Sequence, residues 1–331
     1  MARPHWTPLH GRLHQTLRDR LLLPARSRIL IAVSGGQDSL SLLQLLTDLQ
    51  DLWDWSLAVA HCDHRWREDS AANADHVEQL AQHRGFPFYR SIAEIPPDSE
   101  SAARQWRYDC LASIAQTYGF TVIATGHTAS DRAETLLYNL LRGSGTDGLQ
   151  ALAWSRPIVN AVQLVRPLLN FTRQETATIC SHYRLPVWED RTNQDLTYRR
   201  NRIRQELLPY LQEHFNPRAE VHLAQTAELL TAEVEYLETI ASQIRQQIQA
   251  ERSDVPAALL NRKLLQSAAI ALQRRVIRQI LQEKLNCAPT FAHIEKIVAL
   301  VHAPQKSTTD PLPGGVIARV EGDWIYLDYP T

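Results

Sequence analysis

The sequence predicts an α/β chain: a mostly parallel sheet covered by helices on both faces, then a smaller, mainly helical C-terminal domain. Three observations carry that expectation. From Arg28 onward short apolar runs alternate with amphipathic stretches, and strands alternating with helices of that length imply right-handed crossover units. A glycine-containing turn, Ser34 to Ser39, separates the first apolar run from the helical stretch that follows. Beyond about Asn216 the strand-like runs stop and long helical stretches take over. At about 150 residues per domain a chain of 331 residues makes roughly two domains. The boundary is expected near Asn216 and Pro217, dividing the chain into 1–215 and 216–331.

The opening is Arg-rich and acid-poor, which superficially suggests a transit peptide. Thr7 followed by Pro8 instead reads as an N-cap and first-turn proline ahead of Leu9, Leu13 and Leu17, so a structural first helix is expected. Arg28 to Val33 is strand-like, and Ser39 to Gln50 carries Leu42, Leu45, Leu46 and Leu49 at helical spacing. Ser56 to His61 is the next strand, Ser70 to Arg84 a helix ended by Gly85, and a short strand-like run follows from Phe86. Glu100 to Tyr118 reads as a helix up to Gly119, Phe120 to Thr125 as a strand, and Ser130 to Arg142 as a helix. Thr172 to Glu175 forms a capping box for one more helix, which runs to Arg184 before Pro186. Past the boundary, Val221 to Ala250 and Ala257 to Leu285 each read as one long helix. The tail from Pro311 reads as a closing hairpin, Val316 to Leu327, turning at Gly322-Asp323. Val255 to Gln282 holds five basic residues (Arg262, Lys263, Arg274, Arg275, Arg278) and no acidic one. One helix face there suits a polyanion, with an ordinary solvated face as the alternative.

Composition narrows the chemistry. Hydrophobic residues make up 44% and charged residues 21%, with net charge −1, which is a soluble globular balance. Of 35 basic residues only Lys263, Lys284, Lys296 and Lys306 are lysines. A site in the first two thirds therefore works without a phosphate-binding lysine, a Schiff-base lysine or a lysine general base. Cys62, Cys110, Cys180 and Cys287 are far apart and form no C-x-x-C pair, so reduced thiols are expected. No apolar run is long enough to span a bilayer, and the default expectation is a cytoplasmic protein.

The sharpest motif is Ser34-Gly35-Gly36-Gln37-Asp38-Ser39 between a strand and a helix. Two glycines let the backbone turn tightly and gather N–H groups, and the helix start adds partial positive charge, so a phosphate belongs here. It is not a Walker A loop, which needs a lysine, and G-x-G-x-x-G is absent. Amides and hydroxyls must hold the phosphates, and a carboxylate-held metal must neutralise them; Asp38 is placed for that.

Here the chain resembles the PP-loop ATP pyrophosphatase superfamily (adenine nucleotide alpha hydrolase-like), whose members bind ATP at SGGxDS and cleave it to AMP and diphosphate. Three further motifs follow. His61-Cys62-Asp63-His64-Arg65-Trp66-Arg67 closes the second strand, where Asp63 and His64 point in different directions and suit a nucleotide edge better than a metal. Gly126-His127-Thr128-Ala129-Ser130-Asp131-Arg132-Ala133-Glu134 opens a helix on which Asp131 and Glu134, three apart, share one face, for Mg²⁺ or a base, with capping as the plain alternative. Tyr198-Arg199-Arg200-Asn201-Arg202-Ile203-Arg204 puts Arg200 and Arg204 on one helical face, suited to phosphates of ATP or RNA.

Over roughly Arg28 to Leu211 this set resembles the tRNA(Ile)-lysidine synthetase family, and the likeness fades to general character beyond. The resemblance implies ATP and Mg²⁺, with tRNA(Ile) bearing a CAU anticodon and free L-lysine as partners, no membrane, and a homodimer left open. It implies catalytic roles for Asp38, Asp131 and Glu134, with Asp38 and Asp131 holding the metal. ATP would be bound by Ser34 to Ser39 (Ser34, Gly35, Gly36, Gln37, Asp38, Ser39) with Asp63, His64 and His127. Arg67, Arg104, Arg107, Arg142, Asn193, Arg200, Asn201 and Arg204 would contact tRNA or phosphate. Trp66 and Trp106 are the candidates to stack an unpaired base. Where the family usually shows V-D-H-G-L-R this chain has Cys62, Arg65 and Trp66, and Arg132 replaces a common glutamine. No extra terminal domain is expected. The rivals are a tRNA thiolase, against which the scattered cysteines argue, an amidotransferase-type synthetase, and a nucleotide-sensing or RNA-binding protein that keeps the fold without catalysis.

Overall fold

The computed structural model describes residues 6–159, 161–189, 195–251, 258–285 and 287–330. The chain divides into two compact units, Met1–Thr231 and Ala232–Thr331.

In the first unit α1 (Pro8–Asp19) begins at Thr7 with Pro8 in its first turn, as its sequence predicts. Then come β1 (Arg28–Ala32), α2 (Gln37–Trp53), β2 (Ser56–Asp63), α3 (Ser70–His83), β3 (Phe88–Ile92), α4 (Glu100–Tyr118), β4 (Val122–Thr125), α5 (Ala129–Leu141) and the single turn α6 (Thr146–Leu149). β5 (Ser155–Val159), β6 (Val162–Val165), α7 (Arg173–Tyr183), α8 (Arg199–Arg202), a π-helical segment Ile203–Leu207 and α9 (Leu208–His214) complete it, and α10 (Ala219–Glu251) runs across the division between units. The sheet order is β3-β2-β1-β4-β6-β5, parallel throughout except for β5 against β6.

Alternation along the central strands explains the layers. Ile29, Ile31 and Val59 pack with Leu13, Leu17, Leu42 and Leu46 on one face. Leu30, Ala58, Ala60 and Ile123 pack with Tyr108, Leu111 and Ala115 of α4 on the other, the pattern of a sheet buried on both sides. The β5–β6 hairpin has no counterpart in the sequence reading. β6 has only four residues, and β5 contains Pro157 beside a register shift, as suits an edge strand with little periodicity to show.

The second unit corrects the reading of Ala257 to Leu285 as one helix. Ala258–Asn261 is strand β7, followed by α11 (Arg262–Ser267) and α12 (Ile270–Lys284). The apolar run Ala258-Leu259-Leu260 suits helix or strand equally. What decides is a remote partner: β9 (Trp324–Asp328) pairs with β7 on one side and with β8 (Ile317–Glu321) on the other, the expected closing hairpin. With α13 (Phe291–Val301) these elements enclose a core around Leu260, Leu265, Val276, Ile277, Ile297 and Ile325. Asn261 ends the strand and caps α11, accepting from the Lys263 and Leu264 amides at 2.9 and 3.3 Å. Asn261→Ala is expected to cost about 1 kcal/mol, read as a lower urea midpoint at unchanged slope.

The polyanion face expected on this stretch is largely tied up in internal contacts. Arg262 is buried and donates to the carbonyls of Val301, Ala303 and Gly322. Lys263 pairs with Asp323, Arg274 with Glu295, and Arg275 and Arg278 share Glu238. Among the described residues no helix is long and apolar enough to cross a membrane.

Candidate active site

Strand β1 lies between β2 and β4, so its carboxyl end faces the point where the chain's crossovers change direction, the usual ligand crevice of such sheets. The Ser34 to Ser39 turn sits there. Gly35 has φ +89°, and a Cβ on it would lie 2.3 Å from Asn73 Oδ1, so conformation and space both demand glycine. Its carbonyl accepts from the Trp188 amide at 2.9 Å, and Asn73 Nδ2 donates to the Ser34 carbonyl at 2.9 Å. Ser39 Oγ donates to the Gly36 carbonyl at 2.9 Å and accepts from the Ser34 amide at 3.2 Å. The turn is thus fixed from α3 and from the segment carrying Trp188. The Gln37 side chain is turned onto α7, donating to the Arg173 carbonyl at 2.8 Å and to Thr176 Oγ1 at 3.1 Å.

The three candidate acids converge on a residue that the sequence presents only as part of a capping box. Arg173, in the first turn of α7, reaches Asp38 Oδ2 at 3.3 Å, Asp131 Oδ1 at 3.3 Å and Glu134 Oε1 at 3.5 Å. Arg204 forks onto Glu134, Nε to Oε1 at 2.6 Å and Nη2 to Oε2 at 2.8 Å, the strong bidentate geometry. The capping weighed for Asp131 is present, and its other oxygen joins the ion cluster. Its Oδ2 accepts from the Thr128 amide and hydroxyl at 2.8 and 2.9 Å, capping α5, while Oδ1 faces Arg173 and, at 3.8 Å, Arg204.

The acids differ in their protonation. Burial pushes the Asp131 carboxyl up, but Arg173, the Thr128 amide and Arg204 together outweigh it and hold the group below its ordinary value. Burial wins for Asp38, helped by the charge of Asp131 and opposed by Arg173, and for Glu134, opposed by Arg204. Both stand above their ordinary values. Two neighbouring carboxylates pushed apart in this way mark a functional site.

Arg200 and Arg204 line up along α5: Arg200 lies 5.8 Å over the Tyr138 ring and pairs with Glu100 at 3.2 Å, while Arg204 meets Glu134 one turn earlier. The Asn201 side chain donates to the Asp195 carbonyl. Arg142 is exposed and lies 5.3 Å over Tyr138. Asn193 falls outside the described residues.

The remaining candidates line one cavity of about 730 Å³ with the turn: Asp63, His64, Arg67, Arg104, Arg107 and His127. Asp63 is buried and its Oδ1 accepts from the Arg65 amide at 2.8 Å. His64 packs on Trp66, whose indole donates to the Pro97 carbonyl at 2.7 Å. His127 Nδ1 lies 2.9 Å from Thr125 Oγ1. Burial, with Arg166, Arg104 and Arg107 nearby and Asp131 opposing, pushes His127 down to about 3, so it is neutral. His61, bonded to the Val33 carbonyl, is held down chiefly by burial. Among the described residues no cluster of three or more His, Cys, Asp or Glu is arranged to hold a metal.

Asn73, Trp188 and Tyr108 also line this cavity and were not singled out from sequence. Asn73 had a signal: a polar residue beside Ala74 on the apolar face of α3. The Arg132 departure concerns the fold. The side chain is 2% exposed, donates twice to the Leu152 carbonyl and pairs with Glu228 at 2.5 Å.

A parallel sheet with a glycine turn at its switch point and facing acids defines a PP-loop nucleotide-binding domain, and a PP-loop domain model matches residues 7–211. A TilS substrate binding domain model matches residues 260–326. Curated relatives named tRNA(Ile)-lysidine synthase include that of Nostoc sp. strain PCC 7120, 58% identical with 97% of each chain covered. That of Synechocystis sp. strain PCC 6803 is 53% identical over 98% of each. A chloroplastic one from Zygnema circumcarinatum is 35% identical over 86% of this chain and 78% of the relative. The chain belongs to the tRNA(Ile)-lysidine synthase family. Among solved structures, the U34-tRNA thiolase NcsA from Methanococcus maripaludis shares the fold, with a TM-score of 0.56, 16% identity, and 67% and 78% of the two chains covered.

Proposed function

We propose that this chain joins free L-lysine to C2 of the wobble cytidine in the CAU anticodon of tRNA(Ile), consuming ATP through an adenylated cytidine. Lysidine at that position moves codon reading from AUG to AUA and tRNA identity from Met to Ile. The observation that carries the reading is the convergence of Asp38, Asp131 and Glu134 on Arg173 beside the glycine turn, in a chain with full-length relatives of that name.

In the first step the cytidine O2 attacks the α-phosphorus of ATP and the bond to the β-phosphate oxygen breaks. The turn's amides and hydroxyls receive the departing diphosphate, with Arg173 and Arg204 adding fixed positive charge where negative charge develops. In the second step the ε-amine attacks C2 and AMP leaves. Lysine arrives as an ammonium with an ordinary pKa of about 10.4 and must lose a proton. Asp131, ionised and with Oδ1 toward the cavity, is the residue to receive the ammonium and take that proton. Glu134 has both oxygens on Arg204 and so positions that guanidinium. His127, held neutral, adds no charge of its own beside that carboxylate.

Asp38, with Asp131 adding its charge across Arg173, is the hard-oxygen carboxylate suited to Mg²⁺, which keeps waters and substrate phosphates as its other ligands. Bound there, the ion would supply charge neutralisation for the diphosphate. The reaction needs tRNA, ATP and free lysine in one compartment, and we place it in the cytoplasm.

The test is to incubate the full chain with ATP, labelled lysine and bulk bacterial tRNA. Label entering RNA in step with AMP and diphosphate supports the reading. Diphosphate release without RNA labelling defeats it.

A further inference from the structure

The cavity has a second wall whose charge the glycine turn does not explain. Around the turn, Asp38, Asp131 and Glu134 face Arg173 and Arg204, three acids against two cations. On the wall that α4 contributes, with Arg156 of β5 packed on its Tyr108, the balance is reversed. Tyr108 is 7% exposed at the cavity surface, with Arg104 5.4 Å and Arg156 4.7 Å from its ring centroid. Arg107 immediately precedes Tyr108 in α4, exposed and lining the same cavity. Behind the ring the Arg166 guanidinium faces the Tyr108 hydroxyl, 2% exposed, with Nη1 on the Ala153 carbonyl at 2.6 Å. Arg166 Nε is buried and has no hydrogen-bond partner. Among the described residues none of these four arginines pairs with a carboxylate.

Four guanidinium groups gather around one phenol without a carboxylate, and the buried one, Arg166 with its orphaned N–H, is costly where no anion offsets the local positive charge. We propose that Arg104, Arg107 and Arg156, set around Tyr108 and backed by Arg166, form a phosphodiester subsite that grips the RNA strand next to the reacting base. This rests on the reading of the chain as an RNA-modifying enzyme and identifies which wall holds the strand. The hairpin β5–β6, absent from the sequence reading, is what brings Arg156 and Arg166 to Tyr108. The wall suits a backbone phosphate for two reasons: arginine matches phosphate with a planar fork, and Arg107 is open to solvent, where a polyanion arrives. A base taken out of its stack needs its flanking phosphates fixed, since phosphate contacts set register.

The alternative source of the same chemistry is a phosphate of ATP, and the experiment separates the two. A fluorescein-labelled RNA hairpin with a CAU loop is titrated with the full chain at several salt concentrations, and the KM for ATP is measured in parallel. Arg107→Ala and Arg156→Ala are each expected to weaken hairpin binding about five- to tenfold and to flatten the salt slope by about 0.7 to 0.9 per arginine removed. The KM for ATP should stay within twofold, and Arg→Lys at either position should restore the slope but not the whole affinity. Arg18→Ala, an exposed arginine of α1 paired with Asp19, should change nothing. Unchanged affinity and slope overturn the subsite, as does a raised KM for ATP with RNA binding intact, which assigns the wall to the nucleotide. If the wild type binds the hairpin through these arginines yet puts no lysine into tRNA, the subsite stands and the proposed reaction falls.

Discussion

Arg173→Ala is expected to reduce lysine transfer by about a thousandfold, the scale set by losing a preorganised charge-stabilising donor at a reacting centre. The substitution also leaves Asp38, Asp131 and Glu134 facing one another with only Arg204 between them. Removing one partner from a buried ion pair costs about 3–5 kcal/mol. The Arg173, Asp38 and Asp131 side chains are 30%, 18% and 20% exposed, so solvent screens part of this and about 2–3 kcal/mol is the expected loss. The pH dependence gives a second readout. Asp131 is held below its ordinary value with Arg173 as its strongest favourable partner. A depressed carboxyl contributes stability above its unfolded pKa, lost as pH falls through the folded one. Without Arg173 the Asp131 carboxyl rises, so loss of both stability and activity on acidification should begin at a higher pH. Arg173→Lys keeps the charge but cannot reach three carboxylates with one planar fork, and should recover the stability more fully than the rate. A variant with wild-type kcat and an unmoved acid limb would remove Arg173 from the mechanism.

What was legible in the sequence follows from what is local. The Ser34 to Ser39 turn, the capping boxes at Thr128 and Thr172 and the α4 boundaries are encoded within a few residues of where they occur, and the structure places them there. Strand β7 and the β5–β6 hairpin depend on partners far along the chain, and four- or five-residue strands carry too little periodicity to declare themselves. The same holds within the site. Asp38, Asp131 and Glu134 sit in recognisable motifs, but Arg173 lies in a first turn whose capping box fully accounts for the local pattern. Its role appears only when α7 packs on α2, where Thr176 and Gln37 tie the two helices together. Charge is the hardest property to read one residue at a time. Four of the five basic residues of the stretch in the second unit pair with Glu238, Glu295 and Asp323 from other elements, whereas the arginines around Tyr108 lie far apart in sequence and gather only on folding.

Gly126→Ala should lower turnover by about a hundredfold, because the site tolerates no retreat of the loop it touches. Gly126 follows β4 immediately, and a Cβ there would lie 2.9 Å from the carbonyl carbon and oxygen of Asp38 and 2.9 Å from the Ser39 amide nitrogen. These are backbone atoms in the first turn of α2, so no rotamer change relieves the clash. The helix start must move, at an overpacking cost of about 1–3 kcal/mol. That movement draws Asp38 away from Arg173 and Thr176 and spreads the N–H groups that gather at the turn. A displacement of about 1 Å in a positioned group is enough for a hundredfold loss. Gly11→Ala sets the scale for the same change elsewhere: Gly11 lies within α1 with open space around its Cβ position. There alanine should stabilise by about 0.5–1 kcal/mol and leave the rate alone. The pair is compared by kcat for lysine transfer and by thermal midpoint. Opposite signs in stability, with the rate falling only for Gly126→Ala, tie catalysis to the close approach of β4 and the glycine turn. A Gly126→Ala enzyme within threefold of wild type would show that the turn holds its geometry without that contact.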